Sequence, residues 1–262
     1  MAGEVRTDDP APGVRRLTFA NDGKRGALDH AILDGLAAAI RSAEADDAVR
    51  CLIITGSGGS FSSGYDIGDL RDEVFAVEAE RLVAHPFASA LEALDATPLP
   101  TIAALSGHTI GGGLELAIAC DFRLADPAIK LGMPPAKLGL VYSHTGLARF
   151  LRLIGEGRTR ELFLLGRYID AEKAVDWGLV SAIAADVAAD AVALGSELAA
   201  NAPLSLAGNK DILRTLLDSS GALSADEEAR LIALREACFS SADLREGVRA
   251  FGEKRPPQWQ GR

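Results

Sequence analysis

The chain has 262 residues, a length that fits one large domain or one domain with a small appendage. It carries 37 acidic and 27 basic residues, a formal net charge of −10, which disfavours nucleic-acid binding because phosphate recognition calls for a basic surface. Hydrophobic residues make up 48% and charged residues 24% of the chain, which excludes disorder as its dominant state.

The cysteines and the N-terminus bear on where the protein resides. Cys51, Cys120 and Cys238 form no CxxC pair, so no disulfide framework is predicted. The first thirteen residues contain no apolar stretch, and no apolar run approaches the roughly 20 residues that span a bilayer. We therefore expect a soluble, cytoplasmic protein that has no membrane partner.

The first predicted elements alternate between strands and helices. The alternating pattern around Phe19 predicts a short strand, and Asp29 is placed to cap a helix whose apolar residues recur every four positions. The apolar run at 51–55 predicts a strand buried on both faces. A loop rich in Gly and Ser follows at 56–66, and then a charged helical segment that extends to about Asp95.

The same order repeats in the middle of the chain. Thr101–Leu105 predicts a second buried strand, 106–113 a second Gly-rich loop, and 114–120 the start of an apolar helix. The other predicted elements before residue 186 are strands at 121–125, 129–131 and 179–183 and helices at 147–154, 159–165 and 171–176, the last capped by Asp170 and ended by Gly178.

Beyond residue 186 the pattern is helical. Ser224-x-x-Glu227 and Asp243-x-x-Glu246 predict capping boxes that open two helices. The alternation of strands and helices before this point indicates an α/β fold whose strands are largely parallel. We predict a core at 1–186 and a second, smaller helical unit at 187–262 that packs against the core or against a neighbouring subunit.

The most informative segment is the second Gly-rich loop, GHTIGGGLE at 107–115. Glycines between a buried strand and a helix let a ligand approach the free N–H groups of the first helical turn. Glu115 lies three residues after Gly112, which places its side chain on the helix face of the Gly112 amide. Alternatively, the glycines only permit tight packing and Glu115 is a solvated acid.

The earlier loop supplies a second donor. In FSSGYD at 61–66, Gly64 permits a sharp turn that directs the Tyr65 amide outward. Two such amides, one from each loop, can converge on one oxygen and form an oxyanion hole, which stabilises the negative charge of a reacting acyl or thioester group. The alternative is two unrelated turns.

These two loops resemble the paired signatures of the crotonase superfamily, the enoyl-CoA hydratase/isomerase family. The matching segments, in chain order, are KRGALD at 24–29, FSSGYDI at 61–67, SGHTIGGGLELAIACDFRLA at 106–125, MPPAKLGL at 133–140, 169–180, and 246–255. The resemblance covers nearly the whole chain. It implies a spiral of ββα repeats with a C-terminal helical subdomain, and trimers that often pair into hexamers. In this arrangement the core at 1–186 would bind acyl-CoA and carry out catalysis, and the helical region at 187–262 would join subunits and close the CoA site. It also implies a lyase or isomerase of fatty acid metabolism that acts on acyl-CoA thioesters, with coenzyme A as part of the substrate and no separate cofactor.

The resemblance also implies roles for individual residues. The Tyr65 and Gly112 amides would hold the thioester oxygen while an enolate develops, and Glu115 would be the acid/base. Lys24, Arg25 and Lys254 could meet the CoA phosphates, although each is equally explained as a solvated surface charge. The candidate substrate-binding residues are Arg25, Ala27, Leu28, Ser63, Asp66, Ile67, His108, Pro135, His144 and Lys254.

The chain departs from the family pattern at one decisive position. Enoyl-CoA hydratases that resemble this chain carry a second glutamate where Pro135 stands, and proline can neither accept nor deliver a proton. Glu115 alone could still shuttle a proton, as an isomerase base does, if burial raises its pKa. The combination of Pro135 and Tyr142 is similar to methylmalonyl-CoA decarboxylase, in which case Tyr142 would orient the departing carboxylate. Alternatively, Tyr142 is a packed aromatic residue whose hydroxyl bonds to the backbone.

Other functional classes find little support in the sequence. There is no HExxH motif or Cys/His cluster for a metal, no dinucleotide fingerprint, no Gly-Lys-Ser/Thr loop and no GxSxG frame. Three hypotheses remain: a hydratase/isomerase-type enzyme that works with one glutamate, a decarboxylase of short 2-carboxyacyl-CoA esters, and an acyl-CoA-binding subunit without catalysis.

Overall fold

The computed structural model describes residues 2–66, 83–218 and 223–262. Its strands are β1 (Glu4–Ala11), β2 (Val14–Ala20), β3 (Cys51–Gly56), β4 (Thr101–Leu105), β5 (His108–Ile110), β6 (Phe122–Ala125), β7 (Lys130–Gly132), β8 (Tyr168–Ile169) and β9 (Ala182–Ile183). Its helices are α1 (His30–Glu44), α2 (Ala88–Ala96), α3 (Gly112–Ile118), α4 (His144–Arg160), α5 (Ala171–Asp176), α6 (Val187–Ala199), α7 (Pro203–Asp218), α8 (Ala225–Ser240) and α9 (Ala242–Glu253).

The larger sheet has six strands in the order β1-β2-β3-β4-β6-β9. β1 pairs with β2 in the antiparallel direction, and every other pair in this sheet is parallel. The predicted α/β fold with largely parallel strands is therefore confirmed. Because the carboxyl ends of parallel strands meet at one edge, the chain leaves β3 and β4 on the same side, and the two Gly-rich loops begin there.

The central strands are buried on both faces, as their apolar runs predict. Leu52 and Ile54 of β3 face a core shared with α1 and α2, whereas Cys51 and Ile53 face a second core that includes Ala191 of α6. This division follows from the two-residue period of a strand, which sends successive side chains to opposite faces. α6 thus covers the face of the sheet opposite α1.

The smaller sheet, β5-β7-β8, corrects the prediction of one continuous loop at 106–113. β5 pairs with β7 in the parallel direction, and β7 pairs with β8 in the antiparallel direction. A three-residue strand flanked by glycines shows no clear periodicity, so its hydrogen bonds to β7 could not be inferred locally. β1 and β8 were not predicted either, because β1 is polar and largely exposed and β8 has only two residues.

One further boundary differs from the sequence predictions. The last strand is Ala182–Ile183 rather than 179–183, because the Leu179 and Val180 amides donate to the Ala174 carbonyl and so close α5 after Gly178. The predicted end of α5 at Gly178 agrees with the positive φ of that residue, 73°.

One of the two predicted capping boxes is wrong. The Ser224–Glu227 box is present at the start of α8. The next helix is instead capped by Ser241, and the Asp243 carboxylate accepts hydrogen bonds from the Gln260 and Gly261 amides. This acidic side chain binds the C-terminal tail, a long-range role that the local pattern does not reveal.

The C-terminal helices complete the described part of the chain. No helix within it combines the length and the apolar character that crossing a membrane requires. The division into a core at 1–186 and a helical region at 187–262 stays a prediction, and α6 lies against the main sheet.

Candidate active site

The first Gly-rich loop is held between two neighbouring segments. The Leu28 amide donates to the Gly64 carbonyl at 2.8 Å, and the Asp66 amide donates to the Leu28 carbonyl at 2.9 Å. Because successive peptide groups of extended backbone point to opposite sides, the Tyr65 N–H is directed away from Leu28. The Ser62 amide and carbonyl bond to β5 at His108 and Ile110. The loop therefore lies directly beside the start of the second loop.

The second loop turns sharply into α3 at Gly111. This residue has φ 56° and ψ −127°, a conformation that suits glycine, and its amide donates to the Gly132 carbonyl of β7. The Leu114 and Glu115 amides both donate to the Gly111 carbonyl. The Gly112 N–H lies in the first turn of α3, where backbone donors have no carbonyl one turn earlier in the helix.

The two loops meet at Gly64 and Gly112. A Cβ built on Gly64 would lie 3.8 Å from the Gly112 nitrogen, and a Cβ built on Gly112 would lie 2.6 Å from Cε1 of Tyr65. The absence of side chains at both glycines thus allows the backbones to come close, with the Tyr65 ring against Gly112. The structure brings together the two residues whose amides we expect to form the oxyanion hole. That both amides share one acceptor oxygen stays a prediction.

Glu115 is buried in the first turn of α3, with a relative exposure of 2%. The alternative of a solvated acid is therefore wrong. The Tyr142 hydroxyl donates to Oε2 of Glu115 at 2.5 Å, and Nε of Arg149 lies 3.9 Å from Oε1. Burial raises the pKa of Glu115, whereas the Tyr142 hydrogen bond and the Arg149 charge act in the opposite direction. A buried carboxyl with a raised pKa suits proton transfer near neutral pH.

Tyr142 links Glu115 to the first loop. Its ring packs edge-on against Phe163 with the ring centroids 5.4 Å apart, and its hydroxyl interacts with both Glu115 and the Tyr65 hydroxyl. The alternative in which this hydroxyl bonds to the backbone is therefore wrong. Burial raises the pKa of Tyr142 well above its usual value, and the neighbouring Tyr65 and Glu115 act in the same direction. Tyr142 therefore stays protonated and serves as a hydrogen-bond donor.

Pro135 is buried and begins a short 3₁₀ turn, Pro135–Lys137. Its carbonyl accepts hydrogen bonds from the Leu138 and Leu140 amides. It supplies no side-chain acid or base, so Glu115 has no carboxylate partner from this position.

The segments 24–28 and 63–66, which hold half of the predicted substrate-binding residues, run side by side. The Ser63 hydroxyl donates to the Lys24 carbonyl at 2.9 Å, and the Ser63 amide donates to the Arg25 carbonyl at 3.1 Å. Lys24 forms an ion pair with Asp66 at 2.9 Å. Ala27 and Leu28 are buried, whereas Arg25 and Ser63 are exposed.

The remaining predicted residues are more scattered. His108 begins β5 and His144 begins α4, and both are exposed. Lys254 ends α9 with φ 52°, and its amide donates to the Phe251 carbonyl. Ile67 lies outside the described residues. Within the described ranges, no cluster of three or more His, Cys, Asp or Glu residues is arranged to hold a metal ion.

Arg149 and Asp95 are site residues that the sequence analysis missed. Both Nη groups of Arg149 bond to the Asp95 carboxylate, one of them at 2.8 Å, which joins α4 to α2. The sequence pattern marks Asp95 only as the approximate end of a helical segment. In the sequence, Arg149 lies one turn after Gly146 in a predicted helix. Only the fold shows that this helix lies beside Glu115.

Comparisons with known proteins show which family the chain is similar to. Residues 10–262 match the family model for enoyl-CoA hydratase/isomerase. The chain is 38% identical to a protein of Bacillus subtilis (strain 168) named "Probable enoyl-CoA hydratase", with 95% of each chain covered. It is 32% identical to "Probable enoyl-CoA hydratase echA6" of Mycobacterium bovis, over 96% of this chain and 97% of the relative. The crystal structure of an enoyl-CoA hydratase from Bacillus anthracis superposes with a TM-score of 0.89 at 27% identity, covering 99% of this chain and 100% of that one.

Proposed function

The chain belongs to the enoyl-CoA hydratase/isomerase family, and from this premise we propose that it moves a proton on an enoyl-CoA thioester with Glu115 as its single acid/base. The observation that carries the proposal is the buried Glu115 carboxyl, which bonds to the Tyr142 hydroxyl at 2.5 Å. Pro135 supports it, because the second carboxylate that hydration by the usual route requires is missing.

The reaction follows from these groups. Glu115 takes a proton from C2 of a 3-enoyl-CoA, and the electron pair of that C–H bond passes into the thioester to form a dienolate. The Tyr65 and Gly112 amides stabilise the negative charge on the thioester oxygen. Protonated Glu115 then delivers the proton to C4, so that the double bond moves from C3=C4 to C2=C3. The reaction consumes no water and requires no second base.

Tyr142 favours this reaction over decarboxylation. Its hydroxyl donates to Glu115 and interacts with Tyr65, so it is engaged with the acid/base and is not directed to a departing carboxylate. The two other hypotheses, a decarboxylase and an acyl-CoA-binding subunit without catalysis, are therefore treated as alternative outcomes of the test below.

We also propose assembly into trimers or hexamers through the C-terminal helices, since α7 exposes Leu213, Leu216 and Leu217. Sedimentation measures that state.

The test compares three substrates. A 3-enoyl-CoA, crotonyl-CoA and methylmalonyl-CoA are each incubated with the wild type, Glu115→Gln and Tyr142→Phe. We expect formation of 2-enoyl-CoA from the 3-enoyl-CoA by the wild type and a loss of about 10²–10⁴-fold in Glu115→Gln, the usual contribution of a general acid–base. Hydration of crotonyl-CoA as the faster reaction would replace the proposal with a hydratase. CO₂ release that requires Tyr142 would replace it with a decarboxylase, and tight binding without turnover would indicate a binding subunit.

A further inference from the structure

Arg149 is oriented toward the side of Glu115 that Tyr142 does not occupy. Tyr142 bonds to Oε2, whereas Nε of Arg149 lies 3.9 Å from Oε1. Both Nη groups of Arg149 bond to Asp95 on α2, so the guanidinium plane is fixed from its far end. The two oxygens of Glu115 are therefore approached by different donors from different elements.

The Nε–H group of Arg149 is buried and makes no hydrogen bond. It is one of two buried side-chain polar atoms in the described ranges that have no hydrogen-bond partner, the other being Oγ1 of Thr109. A buried donor without a partner destabilises the folded state, so its retention requires an explanation. At 3.9 Å the group is too far from Oε1 for a direct hydrogen bond, and a small movement of either side chain would close the distance.

Space around Oε1 is limited by a glycine. A Cβ built on Gly146 would lie 2.9 Å from Oε1 of Glu115 and 2.6 Å from Cε1 of Tyr142. The carboxylate therefore sits close against the first turn of α4, the helix that carries Arg149 one turn further on. The same helix thus fixes the distance from Arg149 to Glu115.

We propose that Arg149, anchored by Asp95, is a positioning residue that orients the Glu115 carboxylate through its Oε1 oxygen and stabilises its charged form during proton transfer. The role rests on the proposed function, in which Glu115 alternates between its charged and neutral forms. Arg149 supplies a donor and a positive charge on the Oε1 side, and Asp95 both fixes the guanidinium and offsets part of its charge.

The charges near Glu115 shift its pKa in opposite directions, so the proposal predicts opposite effects when each charge is removed. Three groups act on the pKa of Glu115: Tyr142 before α4, Arg149 of α4 and Asp95 of α2. Glu115 in turn raises the pKa of Tyr65 in the first loop. The Arg149 charge lowers the pKa of Glu115, and the Asp95 charge raises it. The Asp218 charge also acts on Arg149 and raises its pKa.

The experiment titrates Glu115 directly, independently of any reaction. Infrared difference spectra of the whole protein follow the protonated carboxyl band, and Glu115→Gln identifies it. We expect the titration to move to higher pH in Arg149→Gln, because a stabilising charge is lost, and to lower pH in Asp95→Asn, because the arginine charge is no longer offset. Arg149→Lys retains a charge and is expected to lie between the wild type and Arg149→Gln.

Arg152→Gln is the matched control, since Arg152 lies on the same helix and pairs with Asp218 at the surface. Its titration is expected to match the wild type. Thermal unfolding shows whether each variant is folded. If Arg149→Gln does not fold, the proposal is still tested by the other two variants, because the Glu115 titration should move to higher pH in Arg149→Lys and to lower pH in Asp95→Asn. A Glu115 titration that matches the control in both folded Arg149 and Asp95 variants, or shifts in the same direction in both, overturns the proposal.

Activity supplies the second measurement. With a 3-enoyl-CoA as substrate, we expect Arg149→Gln to lower kcat by about 10- to 100-fold with little change in KM, because misplacing a reacting group by 1 Å costs up to about 10²-fold. Arg149→Lys should recover part of the loss. If the wild type fails to act on 3-enoyl-CoA, the proposed function fails, but the infrared titration still tests the role of Arg149. An unchanged kcat in Arg149→Gln alongside an active wild type contradicts the positioning role.

Discussion

At the scale of single residues, the properties of Glu115 result from opposing influences. Removal from water disfavours the charged carboxylate, and one short hydrogen bond from Tyr142 favours it. The result is a carboxyl whose pKa lies above its usual value yet that keeps a donor for its charged form. Such a group can both accept and return a proton, which a solvated glutamate does poorly near neutral pH.

Tyr142→Phe tests this balance. Removing the hydroxyl takes away a hydrogen bond that lowers the pKa of Glu115, so the pKa rises further and less carboxylate is present at neutral pH. A hydrogen bond to a charged group contributes about 1.5–3 kcal/mol, so we expect kcat/KM to fall at least about tenfold. The rising limb of the pH–rate profile should move to higher pH.

Tyr168→Phe is the matched control for this prediction. Tyr168 lies in β8 and is exposed, so its substitution is expected to leave the profile unchanged. A Tyr142→Phe variant with the profile of the wild type would show that the hydrogen bond does not influence the acid/base.

At the scale of elements, the parallel strands determine where the site forms. β3 and β4 end at the same edge, and the two Gly-rich loops continue from there until Gly64 and Gly112 meet. This much could be predicted, because buried strands followed by glycines have a clear local pattern. β5 could not, since the strand His108–Ile110 depends on hydrogen bonds to the distant segments β7 and Ser62. Arg149 was missed for a related reason, because its partner Asp95 is 54 residues away.

Gly146→Ala tests how tightly α4 packs against the site. The added methyl group would lie 2.6 Å from Cε1 of Tyr142 and 2.9 Å from Oε1 of Glu115, so one of these side chains must move. We expect a loss of about 1–3 kcal/mol in the free energy of unfolding from overpacking, and a clear drop in kcat.

Gly157→Ala controls for the change of glycine to alanine in the same helix. A Cβ there meets nothing within 4 Å, and alanine in a helix is favoured by about 0.5–1 kcal/mol. Equal kcat values for the two variants would mean that Gly146 is not needed to make room for Glu115 and Tyr142.

At the scale of the whole molecule, the C-terminal tail is bound by buried acids of α9. Glu246 accepts hydrogen bonds from Arg255, the Gln258 amide and Arg249, and these lower its pKa to about 2. Asp243 binds the tail amides of Gln260 and Gly261. The sequence pattern predicted helix caps here, because a local motif cannot show that a carboxylate bonds to residues more than ten positions away.

Glu246→Gln tests how the tail contributes to stability. A carboxyl whose pKa is lower in the folded state stabilises the protein above its usual pKa, and this contribution is lost as pH falls toward about 2. We therefore expect the variant to be less stable than the wild type at about pH 7, and the difference to shrink at about pH 3. Urea unfolding at both pH values measures it.

Glu236→Gln is the control, because Glu236 is exposed on α8. Its effect should stay within about ±0.5 kcal/mol at both pH values. A Glu246→Gln difference that does not depend on pH would show that the ionised carboxylate does not stabilise the tail.

The central claim is that Glu115 exchanges a proton with the carbon next to a thioester carbonyl. Incubation with butyryl-CoA in D₂O tests it most directly, because mass spectrometry detects deuterium at that carbon even when no product forms. We predict deuterium incorporation by the wild type and its loss in Glu115→Gln, with butyryl-CoA binding retained. Incorporation at the same rate in both proteins, or none by a wild type that binds the thioester, would contradict the account.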